Sequence, residues 1–407
     1  MVSEQLLDQY ADVITSVGLR ISAGDWLVIK TTIEQGPLVR AVSARAYEKG
    51  AHNVTVLWYD PLTERTRYTQ GSADAWGEIC HEADAMNQAT MSGASFLRIL
   101  DEDPETYAGI DPERVATHYR AFDAARRPAT ERLGRNEVIW SMVAAPSRGW
   151  AKRVFPEVSE HAAVEQLWEA ILRVCRIDRD DPVGAWREHL AMLDARRSYP
   201  IGRRFDRLHY VGPGTDLTVG LSENHLWIAG ARGRRGSVPN LPSEGIFTAP
   251  HLGHVDGVVR ATKPLSYLGT TIDGLELRFE DGAVVEARAE AGQSSLGQLL
   301  GTDDGAVRLG GVALAPQSSL VAADDLVWRN ALINENDACH IALGRAYPVC
   351  VEGGPAMSAE ERLAAGLNAS DIRVGFVIGS AGLSVMGIAA DGQEEPLLVN
   401  GEWAFDV

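Results

Sequence analysis

Cysteine is scarce in this sequence, and its spacing excludes two classes of site. Four cysteines occur in 407 residues, and no two of them form a CxxC pair. A disulfide framework and a thiolate zinc site are therefore not expected. No apolar run approaches membrane-spanning length, and the start, MVSEQLLDQYADVITSVG, is amphipathic with early acidic residues rather than typical of a signal or transit peptide. We expect a cytoplasmic protein. The cysteines are Cys80, Cys175, Cys339 and Cys350.

Basic residues are also few relative to acidic ones. Lys and Arg total 38 against 56 Asp and Glu, which gives a formal net charge of -18 at pH 7. Nucleic acids and anionic membranes bind clustered Lys and Arg, so neither is an expected partner. A small molecule or another protein fits this charge better. The length and the hydrophobic content of 45% are typical of a globular protein with two domains.

The first half of the chain alternates short apolar runs with amphipathic segments. This alternation predicts a largely parallel, doubly wound α/β domain over residues 1–199, with a boundary near Tyr199 and Pro200. A proline at the start and a glycine after the end support the first of the predicted helices. The predicted strands are Trp26–Lys30, Val54–Trp58, Ser95–Leu100 and Val138–Val143, and the predicted helices are Pro37–Lys49, Glu157–Arg176 and Pro182–Arg197.

The second half, residues 200–407, is predicted to be a β-rich α+β domain. Its sequence pattern is that of short alternating strands separated by glycine-rich turns, and Glu280-Asp281-Gly282 is typical of a hairpin turn. The predicted strands are Asp216–Gly220, Leu226–Ala229, Asp256–Ala261, Leu275–Phe279 and Ala283–Ala289.

The densest group of reactive side chains lies in WRNALINENDACHIALGRAY, residues 328–347. If the chain is helical from Asp337 onward, His340 and Tyr347 share a helix face. An imidazole there could bind a metal or move a proton, and a phenol could donate to a developing oxyanion. The alternative is that His340 is a satisfied histidine of the core. Cys339 is interpreted as structural, because neighbours on a helix point in different directions.

Several segments, in order along almost the whole chain, resemble the thermophilic-type dinuclear metalloaminopeptidases, the family of aminopeptidase T and aminopeptidase S. They are GPLVRAVSARAYEKGA, GIDPER, GPGTDLTVGL, NLPSEGIFTAPH, NENDACHIALGRAYP, and GLNAS followed by VIGS. The resemblance implies an N-terminal α/β domain, a β-rich C-terminal domain that bears the site, and a homodimer. It also implies two metal ions held by two glutamates, two histidines and an aspartate, with a further glutamate as base and a nearby tyrosine.

Most of these implied metal ligands are replaced in this sequence. Glu244 in PSEG and His340 match ligands, and Tyr347 matches the tyrosine. The implied base and the second ligand glutamate are replaced by glycines, and so is the aspartate of the late His-x-Asp pair, whose histidine is replaced by arginine. The replacing residues are Gly245, Gly311, Gly375 and Arg373. Because two donors cannot hold a pair of divalent ions, the sequence predicts a site rebuilt for another task or a site that has decayed.

Arg373 could anchor a carboxylate-bearing substrate, or it could fill the old metal site by pairing with Glu244 or Asp371. We predict catalytic roles for Glu244, His340 and Tyr347. Substrate-binding roles are predicted for Arg373, Asn368 and Glu335.

Two histidines in PHLGHVDG offer an alternative with one metal ion. His251 and His254, with Glu244 and His340, could form a mononuclear site, as in an aminopeptidase or in the ring-opening dioxygenases related to this fold. Loop histidines on the surface are the plainer interpretation.

The function predicted from these residues is metal-independent acid/base chemistry by an aminopeptidase-fold enzyme. Its substrate would be an amino-acid-derived or other carboxylate-bearing small molecule, its reaction amide or carbonyl chemistry, and its setting specialised bacterial metabolism. No cofactor is expected, although one divalent metal is possible. The alternatives are the mononuclear metal enzyme and a catalytically inactive dimeric binding protein.

Overall fold

The computed structural model of the chain describes residues 2–78, 81–230, 233–268, 270–324 and 326–407, so Cys80 lies outside the described residues. The other three cysteines are free and buried. In these ranges no helix is long and apolar enough to span a bilayer.

Helices cluster in the first half of the chain. The described helices are α1 Glu4–Val13, α2 Gly36–Glu48, α3 Pro61–Gln70, α4 Ala73–Trp76, α5 His81–Met91, α6 Pro112–Gly134, α7 Arg148–Val154, α8 Glu160–Val174, α9 Pro182–Arg203, α10 Gln293–Leu300, α11 Ala331–Asn334 and α12 Ala359–Ala364.

Strands dominate the second half. The described strands are β1 Trp26–Thr32, β2 Asn53–Tyr59, β3 Ser95–Leu100, β4 Trp140–Ala144, β5 Arg207–Gly212, β6 Thr215–Leu221, β7 Ile228–Ala229, β8 Asn240–Leu241, β9 Ile246–Thr248, β10 Pro250–Arg260, β11 Leu265–Tyr267, β12 Thr270–Ile272, β13 Glu276–Glu280, β14 Ala283–Arg288, β15 Leu309–Leu314, β16 His340–Gly344, β17 Arg373–Val377, β18 Ser384–Ile388, β19 Glu394–Val399 and β20 Glu402–Trp403.

The first half forms the predicted parallel sheet, in the strand order β2-β1-β3-β4-β8. Strand β1 is apolar on both faces because helices cover both sides of a parallel sheet. Helix α2 has Pro37 in its first turn, and Gly50 follows its end with φ +89°, as the sequence predicted. After β1 the chain adds β2 on one side of that strand and then β3 on the other side. The crevice at the carboxyl ends of β1 and β3 is therefore a topological switch point.

Several boundaries differ from prediction. Strand β4 begins two residues later than the predicted Val138, and α8 is shorter than Glu157–Arg176 at both ends. Helix α9 continues beyond the predicted Arg197 to Arg203, and Pro200 lies buried inside it. The predicted boundary near Tyr199 and Pro200 therefore falls within a helix. Strand β8, from the second half, also joins the first sheet, and the division into residues 1–199 and 200–407 stays a prediction.

The second half contains two antiparallel sheets and a separate β11–β12 hairpin. The larger sheet has the order β14-β13-β10-β6-β5-β18-β19-β20, and the smaller has the order β17-β16-β15-β9-β7. The predicted hairpin turn joins β13 to β14, with Gly282 at φ +80°. Apolar side chains of both sheets share one core, which includes Leu217, Val255, Ile341 and Phe376.

The helix predicted from Asp337 onward is wrong. Helix α11 ends at Asn334, and His340 begins strand β16, which lies between β15 and β17. Ile341 and Leu343 enter the core, so the apolar pattern here has the period of a strand. His340 and Tyr347 consequently do not share a helix face.

Candidate functional site

Strands β15, β16 and β17 carry small residues side by side on one face, Gly311, Ala342 and Gly375, which we call the glycine floor. In the smaller sheet Gly311 pairs with Ala342, and Ala342 pairs with Gly375. Residues directly opposite one another point to the same face of a sheet, and this face lies away from the core that holds Ile341 and Leu343. The space above the glycine floor can therefore be occupied by longer side chains from neighbouring positions.

Arg373 and Glu335 occupy the space above the two glycines. A Cβ atom at Gly311 would overlap the Arg373 guanidinium, whose Cζ would lie only 3.0 Å away. A Cβ atom at Gly375 would overlap the Glu335 carboxylate, whose Cδ would also lie 3.0 Å away. Each glycine thus leaves room for one charged group, which a larger side chain would displace from its present position.

The contacts of Arg373 differ from both predicted ion pairs. Its Nη1 donates to the carbonyls of Gly310 and Arg345, at 3.0 Å and 2.8 Å. Its Cζ lies 4.2 Å from the centre of the Tyr347 ring, which is the distance of a cation–π contact. Asp371 pairs with Arg127 instead, at 3.0 Å. The guanidinium is therefore anchored by main-chain oxygens and an aromatic face.

His340 borders the same space. Its partner across the β16–β17 pair is Val377, and the Arg373 charge lies near its ring. Burial, reinforced by that positive charge, lowers the pKa of His340 to about 3. The imidazole is therefore neutral at pH 7. Its Nδ1 is buried without a hydrogen-bond partner among the described residues.

A small cleft opens beside these groups. It lies between the β11 segment and the turn after α11, and Glu335 and Gly375 line it. The space between its walls is about 260 Å³, a volume that includes the solvent at its mouth. Burial raises the pKa of Glu335, against the opposing influence of the Arg373 charge. The full lining is Pro264, Leu265, Ser266, Ala331, Asn334, Glu335, Gly375, Phe376 and Val377.

Glu244 is held in a different network. Both of its carboxylate oxygens accept from Arg176, at 2.6 Å and 2.9 Å, and its own N–H donates to Asn336 Oδ1. Arg176 also donates to His189 Nδ1, so His189 carries its proton on Nε2 and donates to the Ser243 carbonyl at 2.7 Å. Burial lowers the pKa of His189, which keeps the ring neutral. Arg176 and His189 were missed from the sequence, because no local pattern joins them to Glu244.

Two further predicted residues have structural contacts. Asn368 is buried, and its Nδ2 donates to the carbonyls of Gly305 and Gly344 at 2.8 Å and 2.7 Å. The two N–H donors of the Asn368 amide are therefore already used within the protein and are not free to bind a substrate. Cys339 is also buried, and burial raises the pKa of its thiol to about 12, so it is no thiolate nucleophile.

The two histidines of the alternative metal site lie in β10 rather than in a loop. The rings of His251 and His254 stack with centres 3.9 Å apart. His251 is packed against Gly366, where a Cβ would overlap its ring. The structure thus places the two rings together, while Glu244 is engaged by Arg176.

A metal pair does not fit the side chains as they are arranged. Across the described ranges, no group of three or more His, Cys, Asp or Glu residues could hold a metal ion. The Arg373 guanidinium fills the space above Gly311, where the resemblance implied a bridging carboxylate. A side chain at Gly245, where the implied base would stand, would lie 2.6 Å from the main-chain oxygen of Leu314. In this arrangement the described side chains do not form a dinuclear metal centre.

Comparison with known proteins gives consistent matches over the whole chain. The family described as Thermophilic metalloprotease (M29) matches residues 3–403. Aminopeptidase 2 of Geobacillus stearothermophilus is 40% identical over 99% of both chains, and aminopeptidase T of Thermus aquaticus is 41% identical over 98% of both. The solved structure of wild-type AmpT from Thermus thermophilus has a TM-score of 0.91 and 38% identity, covering 99% of this chain and 100% of that one.

These matches correct the predicted function. Relatives that are similar from end to end are named aminopeptidases of a metalloprotease family, which contradicts metal-independent chemistry on a small molecule in a biosynthetic pathway. They support an enzyme of the hydrolase class, and a metalloprotease family makes a metal cofactor plausible. The mixed α/β fold predicted from the sequence is confirmed. The chain belongs to the thermophilic metalloprotease (M29) family.

Proposed function

We propose that this protein is an aminopeptidase that removes residues from the amino-terminal end of peptides. The observation that carries the proposal is the identity of about two residues in five to aminopeptidases, 40% and 41%, extending over 98% or more of this chain. A likeness of that extent includes both halves of the fold and the strands that carry the candidate site.

A carboxylate in the cleft supports action at a chain end. Glu335 lines the cleft and can accept hydrogen bonds there. A terminal amine is the small donor group that every unblocked peptide carries.

The predicted site residues enter the proposal in three groups. Glu335 and Arg373 bind and orient the substrate beside the glycine floor. The neutral imidazole of His340 and the phenol of Tyr347 lie next to Arg373, where they would face the bond to be cleaved. Glu244 holds the loop before β9 through Arg176, and Asn368 fixes main-chain carbonyls around β16.

The proposal includes a metal cofactor but specifies neither its ligands nor its number of ions. The family supports one, but the predicted single-ion set of Glu244, His251, His254 and His340 would require Glu244 to leave Arg176. The number of ions is therefore a question for the experiment. The predicted homodimer remains part of the proposal, and a peptide takes the place of the small-molecule substrate.

The test is release of the first residue from a short peptide, followed by mass spectrometry. The purified protein is incubated with leucine p-nitroanilide and with a pentapeptide, separately with zinc, cobalt, manganese and iron(II), and its metal content is measured by elemental mass spectrometry. We expect stepwise loss of amino-terminal residues and no cleavage of the N-acetylated peptide. Absence of cleavage with every metal would contradict the proposal.

A matched pair of variants locates the activity at the candidate site. We expect His340→Ala to lower kcat/KM at least 100-fold, because this neutral imidazole lies near Arg373 beside the cleft. His52→Ala is the control, since His52 is exposed, and its activity should equal that of the wild type. Equal loss in both variants would indicate an effect on folding rather than on the site.

A further inference from the structure

A pocket lined by basic side chains lies apart from the candidate site. It opens between the segment after α1, the end of α2 and the turn before β8, and the space between its walls is about 870 Å³, a volume that includes the solvent at its mouth. It shares no lining residue with the cleft beside β17. We call it the basic pocket, and its lining is Ser16, Arg20, Ile21, Ser22, Lys49 and Arg235.

The charge of this lining is opposite to that of the whole protein. Three of the lining side chains are cations and none is an acid, although the chain has a formal net charge of -18. Cations gathered in one concave surface raise the local concentration of anions. The basic pocket is therefore a place where an anion would bind to an otherwise acidic protein.

Two of the cations are oriented by acidic side chains that do not line the pocket. Lys49 Nζ donates to Asp12 at 2.9 Å and to Ser16 Oγ at 2.8 Å. Arg235 Nη1 donates to both carboxylate oxygens of Asp25, at 3.0 Å and 2.9 Å. These bonds use two of the three N–H donors of Lys49, and they leave Nε and Nη2 of Arg235 without a partner in the part of the chain that the structure describes. Both cations therefore keep donors for a ligand.

Arg20 supplies a positive charge that no acid balances. Its guanidinium makes no hydrogen bond or ion pair within the described residues. A Cβ atom at Gly236 would lie 3.8 Å from Arg20 Nη2, so this guanidinium reaches the turn that carries Arg235. Two guanidinium groups that line one pocket repel each other, and an anion between them is attracted to both. Arg20 thus gives the pocket a net attraction for an anion.

The number of donors indicates the class of anion. Arg20 offers five N–H groups in addition to the remaining donors of Arg235 and Lys49. A carboxylate has only two oxygens to accept from them, whereas a phosphate group has at least three and carries nearly two negative charges at pH 7. Ile21 is the one apolar side chain in the lining, so a large apolar ligand would gain little there. We propose that the basic pocket binds a phosphate group, either as inorganic phosphate or as part of a phosphate monoester.

Calorimetric titration with inorganic phosphate tests the pocket directly. At an ionic strength held constant with sodium chloride, we expect one phosphate per chain with a Kd below about 1 mM, and at least tenfold weaker binding of acetate. Glycerol 2-phosphate is a monoester, and whichever of the two phosphate ligands binds more tightly identifies the source of the group. No phosphate binding, or acetate binding as tight as phosphate binding, would overturn the proposal.

A pair of arginine variants assigns the binding to the pocket. Arg20 has φ +52°, which glycine adopts readily, so Arg20→Gly removes the guanidinium without straining the backbone. It should weaken phosphate binding at least tenfold. Arg204→Gly is the matched control, because Arg204 is an exposed arginine with φ +51° outside the pocket, and it should bind phosphate like the wild type. Unchanged affinity in Arg20→Gly, or equal losses in both variants, would refute the assignment.

Melting temperatures provide a second readout. A ligand that binds only the folded protein stabilises it, so phosphate should raise the melting temperature of the wild type and of Arg204→Gly more than sodium chloride of equal ionic strength does. The extra rise should be absent in Arg20→Gly. The same extra rise in all three proteins would mean that phosphate binds elsewhere, and the proposal would fail. Neither measurement uses a peptide, so both are independent of the proposed aminopeptidase activity.

Discussion

Glu244 is buried and Glu335 is half-buried, and the surroundings of the two carboxylates are opposite. Glu244 follows a strand of the parallel sheet, and both of its oxygens accept from the guanidinium of Arg176. Glu335 lies over the antiparallel floor, and within the described residues neither of its oxygens accepts a hydrogen bond. The first carboxylate has its hydrogen-bond donors inside the protein, whereas the second has none among the described residues.

Asp101 stands between these extremes. It is fully buried after β3, at the switch point of the parallel sheet. Its Oδ2 accepts from Thr32 and, at 3.0 Å, from Gln35, whereas its Oδ1 has no partner among the described residues. The three carboxylates therefore form a series from satisfied to unsatisfied. If a carboxylate with all its hydrogen bonds made is structural and one without them is not, disrupting Glu244, Asp101 and Glu335 should have graded effects on the free energy of unfolding.

The largest effect is expected when the complete pair is broken. Arg176→Met should lower the free energy of unfolding by about 3–5 kcal/mol, because it leaves Glu244 charged, buried and unpaired. Urea denaturation followed by circular dichroism measures the loss. Arg179→Met is the control, since Arg179 is half exposed and pairs with Asp178 at 3.5 Å, and its change should stay within about 0.5 kcal/mol.

The double variant Arg176→Met with Glu244→Met sharpens this result. Removing both charges eliminates the unpaired carboxylate, so at least half of the loss in Arg176→Met should be regained. A double variant no more stable than the single one would mean that the stability came from packing around Arg176, for example on the Trp186 ring 5.1 Å away, rather than from the ion pair.

Asp101, the intermediate case, should make the stability of the protein depend on pH. Burial, aided by the nearby charge of Glu102, raises the pKa of Asp101 to about 7. Because its folded pKa lies above the unfolded one, its contribution to stability is complete below about pH 4 and is lost as the pH rises through 7. Asp101→Asn stays neutral, so at pH 8 it should be more stable than the wild type by about 2–4 kcal/mol, with little difference at pH 4.

Denaturation midpoints at pH 4, 6 and 8 measure this difference. Asp304→Asn serves as the control because Asp304 is exposed. If the Asp101→Asn advantage is the same at all three values, Asp101 does not titrate in this range, and the unpartnered oxygen would need another explanation.

The sequence predicted local features well and long-range partners badly. The apolar run of β1, the proline and glycine that bound α2, and the turn at Gly282 are each decided by neighbouring residues, and all were confirmed. The segment from Asp337 was predicted as a helix because a short apolar run fits both periods, and only pairing with β15 and β17 makes it a strand.

The candidate site shows the same limit. Arg373 was placed at the site from its position beside the replaced ligands, but its predicted pairing with Glu244 or Asp371 was wrong. Glu244 instead meets Arg176, which is 68 residues away and lies in no motif with it. Composition and spacing carry no information on such a pair, because the fold alone brings the two residues together.

The smallest effect on stability is expected at the unsatisfied carboxylate. Glu335→Gln should leave the free energy of unfolding at pH 7 unchanged or raise it by up to about 1 kcal/mol, since the neutral amide avoids the cost of burying a charge. The raised pKa gives the sign, because the wild type loses stability as Glu335 ionises and the variant does not. The same urea titration measures it, with Glu352→Gln as the control. A loss above about 2 kcal/mol would make Glu335 a structural partner of Arg373, like Glu244 with Arg176, and the contrast between the two carboxylates would disappear.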